Sequence, residues 1–178
     1  MDLRDLFKQA YEAALLSPDP STQVGALLVP PPSNYYNKPI SGEKVWFWGE
    51  HDIIARDCNR FPDGVQYTAK RWGKPLKYKV IEHAERNVIY QCAKSGTATK
   101  GLILVGTWAC CSDCARAIIQ AGISKVITHR EACDRAPQLW LDEIAVAYKL
   151  LEEAGVALEF WSGQLGIKVR HSGQDWVA

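Results

Sequence analysis

The chain has 178 residues, with 21 Lys and Arg against 20 Asp and Glu, for a formal net charge of +1. That length suits one domain with a sizeable core, and the charge balance leaves no global field to recruit nucleic acid or a membrane surface. Six cysteines, two of them in a Cys-x-x-Cys pair, read as reduced thiols rather than a disulfide framework. No apolar run approaches the ~18 residues of a membrane span, and the acidic, amphipathic start is not a signal peptide, so a soluble cytoplasmic protein is expected.

Residues 2–16 place Leu3, Leu6, Phe7, Ala10, Ala13 and Ala14 at helical spacing, ended by Ser17-Pro18-Asp19-Pro20. Val24 to Val29 reads as a strand, stopped by the prolines at 30–32, and Val45 to Ile54 as a second, aromatic strand. A long basic stretch from Arg56 to Glu82 follows; a loop of that length in a compact domain is usually functional. Residues 83–95 are helical up to Gly96, Leu102 to Val105 is a short buried strand, and residues 112–121 form a helix stopped by Gly122. Lys125 to Thr128 and Val156 to Trp161 read as strands around a helix at 138–154. The pattern predicts an α/β, three-layer α/β/α domain over residues 1–161 with a mixed sheet of about five strands, and a weakly patterned C-terminal tail at 162–178.

The chemistry lies in His83-Ala84-Glu85 and Cys111-Ser112-Asp113-Cys114. Each piece alone has an ordinary explanation. A lone Cys-x-x-Cys is a redox pair or two buried thiols, and a lone histidine is more often a satisfied core residue. Both pieces, however, fall at predicted helix starts separated by one strand, where the positive dipole end favours thiolate. One imidazole and two thiolates are the ligand set of a catalytic zinc with an open fourth position, and Glu85 is left over to carry protons.

His-x-Glu…Cys-x-x-Cys matches the known signature of zinc deaminases. The chain resembles the cytidine deaminase superfamily, and within it the deoxycytidylate (dCMP) deaminases. The likeness extends through Ser17-Pro18-Asp19-Pro20-Ser21-Thr22-Gln23-Val24-Gly25-Ala26, Cys58-Asn59-Arg60-Phe61-Pro62-Asp63-Gly64, Lys77-Tyr78 and Cys114 to Ile123. It implies a hydrolase with Zn²⁺ on His83, Cys111 and Cys114, a water activated there, and Glu85 moving its proton to ring N3 and then to the departing ammonia. It also implies that main-chain groups of Ala84 and Ala109 grip the ring and that Asn59 holds the sugar 3′-hydroxyl. An Asx turn before Pro62 explains Asn59 nearly as well. For a phosphate, Arg60, Lys77, Ser21 and Thr22 are candidates, along with Lys70, Arg71, Lys74 and Lys79; a solvated basic loop is the ordinary alternative. The expected substrate is a small deoxynucleotide, dCMP with dCTP or a 5-substituted dCMP as extensions. The resemblance further implies a homo-oligomer and allows allosteric control by dCTP and dTTP.

Two departures leave alternatives open. The family has proline before the first cysteine of the pair, whereas this chain has Cys110, so Cys110 competes with Cys111 as ligand. Cys111 is favoured, because residues i and i+3 at a helix start face one side. After the Lys125 strand, Thr128 to Cys133 lacks a tyrosine that several relatives place near the base. Either the base pocket is roomier or Trp140 fills the gap. Two other function classes remain: a tRNA deaminase, with Trp46 and Trp48 stacking bases, and a non-catalytic zinc fold. The net charge argues against the first and Glu85 against the second.

Overall fold

The computed structural model describes residues 1–37 and 44–178. In chain order the elements are α1 (Leu3–Ala14), β1 (Gly25–Val29), β2 (Asn34–Asn37), β3 (Lys44–Phe47), a 3₁₀ turn at Glu50–Asp52, β4 (Ala55–Cys58), α2 (Ala69–Trp72), α3 (Lys77–Val80) and α4 (Ala84–Ser95). Then follow β5 (Ile103–Gly106), α5 (Ser112–Gln120), β6 (Lys125–His129), α6 (Arg130–Cys133), α7 (Gln138–Glu153), β7 (Ala157–Trp161), β8 (Lys168–His171) and β9 (Gln174–Val177).

Five strands form one sheet in the order β4-β1-β5-β6-β7. β1 is antiparallel to β4 and β5, whereas β5, β6 and β7 run parallel, so the sheet is mixed. Period-2 alternation divides its side chains between two cores. Ala26, Leu28, Leu104 and Val126 pack against Val88 and Cys92 of α4, Ala115 and Ile118 of α5, and Ala147 and Leu151 of α7. Leu27, Val29, Ile103, Val105 and Ile127 face the other way, onto Leu6, Phe7, Ala10 and Tyr11 of α1. This is the three-layer α/β/α arrangement expected from the alternating elements. At Gly25, a Cβ would lie 2.0 Å from the Ala10 carbonyl oxygen, so only glycine lets α1 approach β1 this closely. Among the described residues, no helix is long and apolar enough to cross a membrane.

Two expectations need correction, and the weakly patterned tail gains a place. Val45 to Ile54 is not one strand: it breaks at Gly49, whose N–H donates to Asp52 (2.7 Å), and only Lys44–Phe47 is extended. That piece pairs with β2 outside the main sheet, which parts Trp46, half exposed, from Trp48, buried in the α1-side core. The strand that joins the main sheet is instead Ala55–Cys58, at the sheet edge, and the stretch taken for a loop carries α2 and α3 as well. The tail is also structured. β8 and β9 form a hairpin that buries Val169, with Ala178 just beyond it, in the α1-side core.

Candidate active site

Strand β5 ends at Gly106, and the chain crosses Trp108 to Cys111 before α5 begins. Cys111 is the N-cap of α5 and Cys114 lies in its first turn, while His83 is the N-cap of α4. Packing of α4 on α5 beneath the sheet therefore brings two helix N-termini to one point. His83 Nδ1 lies 3.5 Å from Cys111 Sγ and 3.4 Å from Cys114 Sγ, and the two sulfurs are 3.6 Å apart. A tetrahedral metal with bonds of ~2.3 Å to sulfur and ~2.05 Å to nitrogen needs S···N edges of ~3.5 Å and an S···S edge of ~3.8 Å. The three atoms fit that requirement closely. Cys110, the competing ligand, is buried in the core under the sheet, where burial pushes its thiol well above the ordinary range.

The surroundings favour charge on Cys111 over Cys114, whose thiol is pushed well above the ordinary range by burial and by its hydrogen bond with Cys111. The hydrogen bond shared with Cys114, with help from His83, holds Cys111 down to about 3, against the opposing effect of burial. Arg86 donates to Cys114 Sγ at 3.4 Å and is itself fixed by an ion pair with Glu82. Glu85, one position after Ala84 in α4, is buried, and that burial raises its carboxyl pKa although the His83 charge opposes the shift.

The cluster opens into one pocket. His83, Glu85, Ala109 and Cys111 are among its lining residues. Tyr78, Trp108 and Trp140 wall it, with Trp140 edge-on to Tyr78 at 5.7 Å and to Trp108 at 6.1 Å. Asp19, Ser21, Thr22, Asn59, Lys74, Lys77 and Ser172 supply its polar lining.

The model for the cytidine and deoxycytidylate deaminase zinc-binding region matches residues 1–130. The chain belongs to that deaminase family. It is 30% identical over 150 residues to an uncharacterized deaminase of Aliivibrio fischeri, covering 84% of this chain and 86% of that protein. The deoxycytidylate deaminase of Homo sapiens is 31% identical over 153 residues, covering 83% of this chain and 72% of the human protein. In fold, the dCMP deaminase of cyanophage S-TIM5 superposes with a TM-score of 0.59 at 23% identity, over 89% of this chain and 95% of that one.

The deaminase gathers some of the sequence-predicted residues and leaves others apart. Ala109 lines the pocket, and Ala84 is the first residue of α4, so its N–H has no partner within the helix. Asn59 also lines the pocket, and its side chain forms no Asx turn before Pro62. Its Oδ1 accepts from Val24 N–H (2.8 Å), and its Nδ2 donates to Asp19 (3.0 Å) and to the Thr22 carbonyl (2.8 Å). Lys77 lines the pocket with its charge already matched, its Nζ 2.6 Å from Asp19 Oδ2. Arg60 does not reach the pocket: its guanidinium is held by Asp57 at 3.0 Å and Asp63 at 2.5 Å. Lys70, Arg71 and Lys79 are likewise absent from the lining, whereas Lys74 is part of it.

The sequence reading gave no role to Asp19, Arg86, Trp108 or Ser172. Asp19 organises the polar end, accepting from the N–H groups of Ser21 (2.8 Å) and Thr22 (3.2 Å) as well as from Asn59 and Lys77. A signal for it existed, since an aspartate between two prolines and before Ser-Thr is a natural Asx turn. Ser172 had none, being remote in sequence from the rest of the site.

Proposed function

We propose that this deaminase converts dCMP to dUMP, with zinc held by His83, Cys111 and Cys114 and Glu85 as the proton carrier. The observation that carries the reading is three ligand atoms within 4.8 Å of one another, two of their residues lining a pocket that also holds a buried carboxylate and polar side chains. Similarity to the human deoxycytidylate deaminase over most of both chains supports the nucleotide as substrate.

When bound, the zinc supplies Lewis-acid activation that makes a water nucleophilic near neutral pH. The rest belongs to the chain's own residues. Glu85, its pKa raised by burial, takes a proton from the attacking water and delivers it to ring N3, then carries the remaining proton of the added hydroxyl to the leaving amino group. The C4–O bond forms first, by addition across C4 and N3, and the C4–N bond then breaks as the carbonyl forms, consuming one water and releasing ammonia. The Ala84 N–H and the Ala109 main chain orient the ring, and Trp108, Trp140 and Tyr78 shield it from bulk water. Trp140 in this wall supports a filled base pocket over a roomier one for 5-substituted cytosine.

The test is product analysis of the zinc-loaded protein incubated with dCMP, beside Glu85→Gln. Wild type should yield dUMP and equal ammonia. The variant should keep its metal and fold while losing about 10²–10⁴-fold in rate. No dUMP from dCMP, with turnover of an adenosine substrate or tRNA instead, would overturn the reading.

A further inference from the structure

The family model ends at residue 130, yet the pocket is completed by a residue far beyond it. Strands β8 and β9 are joined by Ser172 and Gly173 alone, with His171 paired to Gln174. Both linking residues have positive φ, 54° and 82°, the pattern of a type I′ hairpin turn. Glycine, asparagine or aspartate is favoured at the first of these positions, because other side chains are strained there. Ser172 is the one non-glycine residue with positive φ among the described residues. Strain retained at a single pocket residue points to a use for its side chain.

The turn is bonded into the site. Gly173 N–H donates to the Ser21 carbonyl (2.8 Å) and Ser172 N–H to Thr22 Oγ1 (3.2 Å). Gln23 N–H donates to the Arg170 carbonyl (2.9 Å), and Arg170 N–H donates back to Gln23 Oε1 (3.0 Å). These four bonds hold Ser172 in register with Ser21 and Thr22, and all three line the pocket. Thr22 Oγ1 accepts from Ser172 N–H and shares a 3.5 Å contact with Ser21 Oγ, so one of these two hydroxyls keeps a proton to donate outward. The same pocket is lined by a cation. The Lys77 charge is matched by Asp19, but Lys74 has no carboxylate partner among the described residues and lies over the Tyr78 ring at 5.7 Å. Ser172 Oγ lies 3.4 Å from His171 Nδ1; with the imidazole proton on that nitrogen the hydroxyl accepts there and keeps its own proton to donate. Hydroxyls and an unmatched ammonium lining one pocket suit an oxyanion, which only accepts hydrogen bonds.

We propose that Ser172, carried into the pocket by the C-terminal hairpin, is a specificity-determining residue that donates its hydroxyl hydrogen bond to the phosphate of the nucleotide, alongside Lys74 and Thr22. This rests on the nucleotide reading above.

Ser172→Gly separates this role from a structural one, since glycine relieves the strained turn and deletes only the hydroxymethyl group. The variant should melt no lower than wild type. Its KM for dCMP should rise about ten- to a hundredfold, the weight of one charge-assisted hydrogen bond, with kcat little changed and KM for deoxycytidine unchanged. Calorimetric binding of dUMP should weaken by the same factor. Unchanged KM and unchanged dUMP affinity would overturn the assignment, as would equal losses with dCMP and deoxycytidine. Should Ser172→Gly fail to fold, Ser172→Ala serves the same comparisons. A wild-type enzyme inactive on dCMP would overturn the nucleotide reading and this assignment together, an outcome distinct from an active wild type matched by Ser172→Gly.

Discussion

Replacing Lys77 with methionine keeps most of the side chain's apolar stem but removes the ammonium that neutralises Asp19. The two side chains are 8% and 1% exposed, with Nζ 2.6 Å from one carboxylate oxygen and 2.8 Å from the other. Removing one partner of a buried pair leaves an uncompensated charge and costs ~3–5 kcal/mol. Asp19 would retain three neutral donors, the Ser21 and Thr22 N–H groups and Asn59 Nδ2, which places the expected cost near the lower end, about 3 kcal/mol. In a domain of this size each kcal/mol is worth ~2–4 °C, so the melting temperature should fall by about 6–12 °C. Urea and thermal unfolding of the zinc-saturated protein at neutral pH measure it. Adding Asp19→Asn should recover part of the loss, with a coupling energy of about 2 kcal/mol or more. KM for dCMP should rise more than kcat falls, because Asp19 sets the register of Ser21, Thr22 and Asn59 at the polar end. A loss below about 1 kcal/mol with an additive double variant would refute the claim that this pair organises the pocket.

Cys111→Ala should drop zinc from about one ion per chain to near none and lower stability with it, whereas Cys110→Ala should retain the metal; elemental analysis giving the reverse would reinstate Cys110 as ligand. His171, buried in ring contact with Trp108 and Trp176, has its pKa lowered to about 4 by burial and by the Arg135 charge. Neutral when folded but titrating near 6.5 when unfolded, it contributes stability that is complete above about pH 6.5 and lost as pH falls from there through about 4, up to ~3 kcal/mol. His171→Gln should flatten the acid limb of a series of melting temperatures against pH, and an unchanged slope would contradict that account.

What the sequence discloses depends on where each pattern is written. Val24 to Val29 and Leu102 to Val105 are apolar throughout because β1 and β5 lie in the middle of the sheet and are covered on both faces. The amphipathic periods of α1 and α5 are equally plain. Strand β4 hides at the sheet edge, where Arg56, exposed, and Asp57, tied to Arg60 and Gln91, look like loop residues. The aromatic run at 45–54 misleads because its tryptophans serve different surroundings, one in a two-stranded hairpin and one in the core. In the tail, buried Val169 and Ala178 are too few to set a period. The candidate metal ligands are legible for a local reason, since each belongs to a short motif at the start of its own helix. The polar end of the pocket draws on residues 17–22, 59, 74–78 and 172, and only the folded chain brings these together. Arg60 shows the limit of reading charge alone: nothing local announces that Asp57 and Asp63 hold its guanidinium.

The most direct test of the account is the ratio of kcat/KM for dCMP to that for deoxycytidine, measured on the zinc-loaded protein at one pH and salt concentration. The two substrates share the ring and sugar and differ only in the phosphate. Losing even one charge-assisted hydrogen bond to that group is worth about ten- to a hundredfold. The account predicts a ratio of at least about ten in favour of dCMP. Equal values would mean that no phosphate is recognised, and would contradict a nucleotide deaminase.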